Sequence, residues 1–219
     1  MASKAEFLAN ITRRLGRSGP ASVPNRGSIN AGPAEHDMSA GDLAARFAEE
    51  AERVGSKVVM CDSLDAVHDA LTAIIGTLPP DRVASCSPSV LDGWGLDRVD
   101  GSIEWLTAAS EAFRERMPAS EVGVTGADVA IADTGTLVLT ADADRPRSLS
   151  LLPRVHVALI REEQIVAHMA EAIQRVRVNG SLPSAVQFMT GPSRSADIEN
   201  DLSIGVHGPA EVHILVLRS

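Results

Sequence analysis

From Ala40 to the C-terminus, short β-prone apolar runs alternate with longer stretches whose apolar residues have helical spacing. In the first helical stretch, Ala40–Val54, this spacing places Leu43, Phe47 and Ala51 on one face. Alternating strands and helices are typical of parallel βαβ units. We therefore predict an α/β domain with a mostly parallel sheet and flanking helices. The other predicted helices are Ser63–Ile75 and Glu162–Val176, and the predicted strands are Lys57–Cys61, Arg82–Cys86, Ala127–Ala132, Thr136–Thr140, Val155–Ile160, Ala185–Met189 and Ile214–Leu217.

The N-terminal segment has a different pattern. Lys4–Arg17 carries apolar residues four positions apart and basic residues elsewhere, which predicts a short amphipathic helix. Ser18–Ala40 is rich in Gly, Pro, Ser and Asn and is typical of a linker. We predict an arm and linker over residues 1–40 and the α/β domain over 41–219. We expect the arm to pack on its own domain or on a partner subunit.

Charge and composition exclude several classes of function. The chain has 219 residues, with 29 acidic against 20 basic residues and a net charge of −9, which argues against nucleic-acid binding. Tyrosine is absent, and every apolar run is shorter than the roughly 18 residues that span a bilayer. No secretory leader pattern opens the sequence, so we expect a cytoplasmic protein with no membrane partner.

The two cysteines, Cys61 and Cys86, lie far apart in the sequence without a CxxC motif. An iron–sulfur cluster is usually held by four cysteine thiolates, so this chain alone does not carry one. The sequence also predicts no metal site and identifies no other cofactor. Gly93-Trp94-Gly95 resembles the start of a dinucleotide-binding fingerprint, but Arg98 replaces its third glycine, and we reject that interpretation.

The first candidate for chemistry is the turn Asp133-Thr134-Gly135-Thr136 between two predicted strands. Such a turn forms when the carboxylate bonds its own backbone and glycine supplies a positive φ. A functional interpretation makes Asp133 a catalytic carboxylate, with Thr134, Gly135 and Thr136 lining a ligand site. Asp-Thr-Gly also occurs in aspartic proteases, but those need a paired copy, and the βαβ pattern opposes that interpretation.

The second candidate is the loop after the strand Ala185–Met189. Gly191 allows close approach of a ligand, Arg194 offers a forked charge, and Ser193 or Ser195 is placed to cap a following helical turn. An ordinary capped loop has the same pattern. We predict an anion cradle formed by Thr190, Gly191, Pro192, Ser193, Arg194 and Ser195.

Further candidates follow from the surroundings of single residues. Glycines flank His207, so its imidazole is placed to reach a cleft. His207 is therefore a candidate catalytic residue and Gly208 a candidate ligand-binding residue, although a turn histidine bonding backbone fits equally well. His156 lies within a strand pattern and is interpreted as a core residue. Arg145 and Arg147 either face solvent or close over an anionic ligand.

Several of these segments together resemble the LUD domain of the lactate-utilization protein C family. The resemblance covers roughly Ala40 to the C-terminus and rests on four blocks, namely Thr125–Leu139, Ser150–His156, Thr190–Glu199 and Gly205–Pro209. It implies a fold similar to the sugar-phosphate isomerase and CoA-transferase superfamily. It also implies a component of a three-protein system that oxidises L-lactate to pyruvate, in which the other two components are iron–sulfur proteins.

The family pattern commonly has a glutamate at the position of Asp133. The shorter aspartate suits a general base or a hydrogen-bond acceptor better than a covalent role. Three functions stay open at this point: a non-redox subunit that binds a small anionic ligand, a self-sufficient enzyme acting on a sugar phosphate or CoA thioester, and a pure interaction module.

Overall fold

The computed structural model describes residues 3–16, 39–76, 79, 82–99, 104–177, 183, 185–196, 202–205 and 207–218. The chain divides into two units, Met1–Ala34 and Glu35–Ser219. In the first unit, the predicted amphipathic helix is present as α1 (Lys4–Arg14), which begins at a Ser3 capping box. Apart from its last two residues, the predicted linker Ser18–Ala40 lies outside the described residues.

The second unit contains the remaining helices and all described strands. The helices are α2 (Ala40–Arg53), α3 (Leu64–Ile75), α4 (Phe113–Arg116), α5 (Ser148–Leu151) and α6 (Met169–Arg175). The strands are β1 (Lys57–Cys61), β2 (Val83–Ser85), β3 (Trp105–Thr107), β4 (Val122–Gly126), β5 (Val129–Ile131), β6 (Thr136–Thr140), β7 (Val155–Arg161), β8 (Ile165–Val166), β9 (Val186–Met189), β10 (Arg194–Ala196), β11 (Leu202–Ile204) and β12 (Glu211–Leu217).

Six strands form one sheet in the order β1-β12-β7-β4-β2-β3, and every neighbouring pair is parallel. A parallel sheet is covered on both faces, so its central strands are apolar throughout. In β7, Val157 and Leu159 belong to the core cluster around α3, whereas Ala158 and Ile160 belong to the cluster around α2. The predicted α/β fold with a mostly parallel sheet is confirmed.

A second sheet, in the order β8-β5-β6-β9, is one that the sequence pattern does not indicate. Its hairpin β5–β6 is antiparallel, as the turn at Asp133 predicts, and β9 pairs antiparallel with β6. Strand β8 adds to β5 in parallel. One end of this small sheet therefore collects the end of β5, the start of β6 and the ends of β8 and β9.

The prediction of one helix over Glu162–Val176 is wrong in its first half. Ile165 and Val166 form strand β8, which pairs with Ala130 and Ile131, and the helix is confined to α6. Both residues are β-branched and buried, so adding to the sheet buries them more completely than a surface helix would.

One further prediction differs from the structure. The chain after Thr190 forms strand β10, which pairs with β11, and not the capped helical turn that we predicted. Strand β12 lies between β1 and β7 in the interior of the sheet. No helix among the described residues is long and apolar enough to cross a membrane.

Candidate functional site

The turn at Asp133 is packed directly against the backbone of α2. Strand β5 ends in one 3-10 turn over Ala132–Thr134, and Gly135 follows with φ 59°. A Cβ atom at Gly135 would lie 2.2 Å from the amide nitrogen of Ala51. Position 135 therefore requires glycine for two reasons, namely the left-handed backbone conformation and the close approach of α2.

Asp133 joins two cationic or protonatable side chains from different elements. One carboxylate oxygen lies 2.7 Å from Nη2 of Arg46 on α2. The other contacts Nδ1 of His168, which lies immediately before α6. The exposed fractions of the side chains are 43% for Arg46, 27% for Asp133 and 37% for His168. We call these three residues the Asp133 cluster.

The arrangement fixes the orientation of the His168 ring. When Nδ1 donates to the carboxylate, Nε2 of a neutral imidazole is left as a hydrogen-bond or proton acceptor. Arg46 carries five N–H donors, more than one carboxylate oxygen accepts. The Asp133 cluster is thus able to accept a proton at His168 and to donate hydrogen bonds to an anionic group at Arg46.

A row of threonine hydroxyls connects the two predicted ligand segments. Oγ1 of Thr136 lies 2.7 Å from Oγ1 of Thr134 and 2.8 Å from Oγ1 of Thr190. The pairing of Leu137 with Met189 in the antiparallel β6–β9 ladder sets this contact. Thr134, Thr136 and Thr190 therefore lie at the same end of the small sheet.

The Thr190 loop also packs on α2, but closer to its C-terminus. Gly191 has φ 78°, and a Cβ there would lie 2.6 Å from the carbonyl oxygen of Val54. Arg194 donates from Nη2 to the same carbonyl at 2.8 Å. Arg46 and Val54 are eight residues apart, which corresponds to about 12 Å along a helix axis. Asp133 and Arg194 thus contact the same helix at different points.

Backbone groups of the predicted anion cradle form hydrogen bonds with another loop of the protein. The amide of Ser193 donates to the carbonyl of Pro209 at 2.9 Å, and Gly205 donates to the carbonyl of Ser193 at 2.9 Å. Gly208 lies against Ser193, where a Cβ would come within 3.1 Å. These contacts join the loop that contains Gly205 and Gly208 to the Thr190 loop.

The other predicted site residues surround these contacts. Pro192 lies beside Gly55, and a Cβ atom at Gly55 would lie 3.5 Å from the proline ring. Ser195 pairs with Ser203 in the β10–β11 ladder. His207 is exposed in the loop before β12. Asp197, Glu199 and Val206 lie outside the described residues.

Arg145 is held by carboxylates of its own neighbourhood. It lies 2.6 Å from Asp128 and 2.7 Å from Asp142, and the hydrogen bond from Arg145 lowers the pKa of Asp142. Arg147 is exposed. Of the two arginines proposed to close over an anion, Arg145 is therefore already charge-balanced.

His156 is fully buried in β7, as the sequence predicts, and connects the two sheets. Its Nε2 lies 2.8 Å from Oγ1 of Thr125 on β4, and its Nδ1 lies 3.1 Å from the sulfur of Met189 on β9. Burial lowers its pKa to about 4. The side chain is neutral at physiological pH and serves packing and sheet connection.

The sequence pattern did not indicate Arg46 and His168 as site residues. Arg46 is one of several polar residues on the outer face of an amphipathic helix, and His168 was assigned to a helix interior. The available signal was the β-branched pair Ile165-Val166, because a histidine two residues after a strand end stands where a loop presents polar side chains.

Comparison with known proteins establishes the family. A family model described as the LUD domain matches residues 44–217. The chain belongs to the LUD domain family. Lactate utilization protein C of Exiguobacterium sp. is 30% identical, over 99% of this chain and 96% of the relative. Lactate utilization protein C of Bacillus subtilis is also 30% identical, over 98% of this chain and 96% of the relative.

The fold is shared with a solved structure. The crystal structure of a DUF162 family protein from Deinococcus radiodurans superposes on this LUD domain chain with a TM-score of 0.62. The match covers 82% of this chain and 99% of that chain at 21% sequence identity. This similarity concerns the fold. The family resemblance drawn from the sequence blocks is confirmed by the family match and by the full-length relatives.

Proposed function

We propose that the protein is a non-redox component of a system that oxidises L-lactate to pyruvate. The observation that carries this proposal is the similarity to curated lactate utilization C proteins along nearly the whole of both chains. A shared domain alone would leave room for a different role, whereas shared length supports the same role.

Electron transfer is assigned to partner proteins with iron–sulfur clusters. The whole sequence contains two cysteines, fewer than a four-thiolate cluster requires. Both are buried, and burial raises the pKa of the Cys86 thiol to about 11. Such a thiol is protonated at neutral pH and is a poor nucleophile or redox group.

The ligand that we propose is a small α-hydroxy carboxylate at the Asp133 cluster. Arg46 supplies donors for the carboxylate, and His168, oriented by Asp133, supplies an acceptor for the hydroxyl. This assignment places the anion-binding role on Arg46, which contacts Asp133 together with His168, and not on Arg194, which contacts the C-terminal end of α2.

Reconstitution tests the role of the whole chain. The purified protein is combined with the two iron–sulfur proteins of the system, and lactate-dependent dye reduction is measured. We expect activity to depend on the presence of this chain. Unchanged activity in its absence would contradict the proposed function.

Single substitutions test the site. We expect Arg46→Gln to raise the KM for lactate at least about fivefold, since a charge-assisted hydrogen bond is lost. We expect His168→Ala to lower kcat at least about tenfold, as for loss of a general base. The matched control is Arg53→Gln, because Arg53 lies on the same helix and pairs with Glu50 at the surface.

The outcomes distinguish the remaining functions. If Asp133→Asn and His168→Ala keep full activity while removal of Met1–Arg17 abolishes assembly, the protein is an interaction module. If His207→Ala costs more activity than His168→Ala, the site lies at that loop instead. Calorimetric binding of sugar phosphates or CoA esters, weakened by Arg194→Ala, would favour a self-sufficient enzyme.

A further inference from the structure

A cleft of about 530 Å³ opens at the carboxyl ends of β2 and β3, away from the residues of the Asp133 cluster. It is bounded by Leu64 at the start of α3, by Ser85 and Thr107 at the strand ends, and by the segment Asp92–Asp97. The carboxyl edge of a parallel sheet is the usual place for ligands in α/β proteins. The volume is within the range of small-molecule sites.

The walls of the cleft are mostly apolar. Leu64, Leu91, Leu96 and Pro88 line it, together with the half-buried side chain of Trp105 on β3. An indole ring provides a flat surface on which aromatic ligands stack. These walls suit a planar, largely apolar group.

The charged side chains that line the cleft are all negative. Asp92 and Asp97 line it, and none of the described lining residues is a lysine, arginine or histidine. Two nearby arginines are already engaged. Arg98 lies 3.6 Å from Asp65, and Arg161 donates to the Gly93 carbonyl at 3.1 Å and lies over the Trp94 ring. A phosphate or carboxylate in the cleft would be repelled, whereas hydroxyl and amino donors would find acceptors.

The segment between the two aspartates is held in place. Gly93 and Gly95 both have positive φ, at 79° and 58°. Nε2 of the buried His68 donates to the carbonyl of Trp94 at 2.7 Å. The cleft is thus fixed by hydrogen bonds from α3 and β7, and little ordering is needed when a ligand binds.

We propose that this cleft binds an uncharged planar ring system that carries hydroxyl donors, the chemistry of an unphosphorylated nucleoside. The ring stacks on Trp105, and sugar hydroxyls donate to Asp92 or Asp97, as carboxylates do to ribose in other α/β sites. The same segment lacks the third glycine of a dinucleotide fingerprint, which agrees with a site that holds no pyrophosphate.

The two tryptophans make the test specific. In the Trp94→Phe variant, Trp105 is the single remaining tryptophan, so its fluorescence reports the cleft. Adenosine is titrated against AMP, which adds only the phosphate. We expect saturable quenching by adenosine and binding of AMP weaker on the order of fivefold. Calorimetry on the unsubstituted chain repeats the comparison without relying on the variant.

Charge and stacking are then removed separately. The double substitution Asp92→Asn and Asp97→Asn is expected to bring AMP to within about twofold of adenosine, because amides keep acceptors but lose the charge. Trp105→Leu is expected to weaken adenosine at least about fivefold. No saturable adenosine binding, equal binding of adenosine and AMP, or binding unaffected by Trp105→Leu would each overturn the proposal. None of these outcomes bears on lactate-dependent activity.

Discussion

The Asp133 cluster and the cleft beside β2 and β3 differ in what surrounds them. At the cluster, a turn lies against the backbone of α2, and its polar groups form ion pairs. At the cleft, a Cβ atom built at Gly93 or Gly95 would meet side chains and not backbone, and the walls are mostly apolar. The first region is therefore suited to hold one charged group in fixed geometry, and the second to enclose an uncharged ring.

Two glycines with nearly the same backbone conformation give the sharpest test of this difference. Gly135 has φ 59° and Gly95 has φ 58°, so alanine meets the same left-handed strain of about 1–2 kcal/mol at both. At Gly135 the new Cβ meets Ala51 backbone at 2.2 Å, whereas at Gly95 it meets the His68 ring at 3.3 Å. We expect Gly135→Ala to cost about 3–5 kcal/mol of unfolding free energy and Gly95→Ala about 1–2 kcal/mol.

Urea unfolding of the two variants and the unsubstituted protein measures both costs. Equal costs would mean that α2 moves away from the turn without penalty. The contrast between a rigid and an open region would then be wrong.

Local chemistry explains why part of this architecture could be predicted. The turn at Asp133 combines a carboxylate, a glycine and two flanking β-prone runs, and each of these acts over a few residues. The buried strand β7 and the Ser63 cap of α3 are likewise encoded locally. The hairpin, the parallel sheet and the core position of His156 were accordingly predictable.

What could not be predicted depends on contacts between distant segments. Asp133 contacts Arg46, which is 87 residues away in the sequence, and His168, which is 35 residues away. Ile165 is in helical register with Met169 and Ile173, but together with Val166 it forms a buried strand that pairs with β5. The residues around Arg194 are typical of an anion site, yet its guanidinium donates to the carbonyl of Val54 at the end of α2. In each case the partner is set by topology and not by neighbouring residues.

His156, at the junction between the two sheets, is expected to change the unfolding free energy with pH, by less than the Gly135 substitution does. Because burial lowers the pKa of His156 to about 4, the unfolded chain takes up a proton near pH 6.5 and the folded protein does not. Its contribution to stability is therefore complete above pH 6.5 and is lost as the pH falls towards 4. Between pH 7 and 5 we expect a loss of about 2 kcal/mol from this residue.

The variant His156→Gln isolates that contribution. Burial also lowers the pKa of His213, so the informative quantity is the difference in pH dependence between the variant and the unsubstituted protein. Urea unfolding at pH 7 and pH 5 should show a shallower dependence in the variant. An unchanged dependence would mean that His156 is hydrated and that the two sheets are less closely packed than the structure shows.

The smallest expected effect concerns the support of the cleft itself. Arg161 on β7 donates to the carbonyl of Gly93 and lies 4.9 Å from the Trp94 ring centroid. Arg161→Met keeps most of the apolar stem but removes both contacts, and we expect a loss of about 1 kcal/mol in unfolding free energy. The matched control is Arg98→Gln, since its ion pair with Asp65 is exposed and is expected to contribute less than about 0.5 kcal/mol. If the two substitutions cost the same, the segment from Gly93 to Gly95 is held by the His68 hydrogen bond from α3 and not from β7. Chemical denaturation of both variants, followed by adenosine titration of Arg161→Met, separates these two cases.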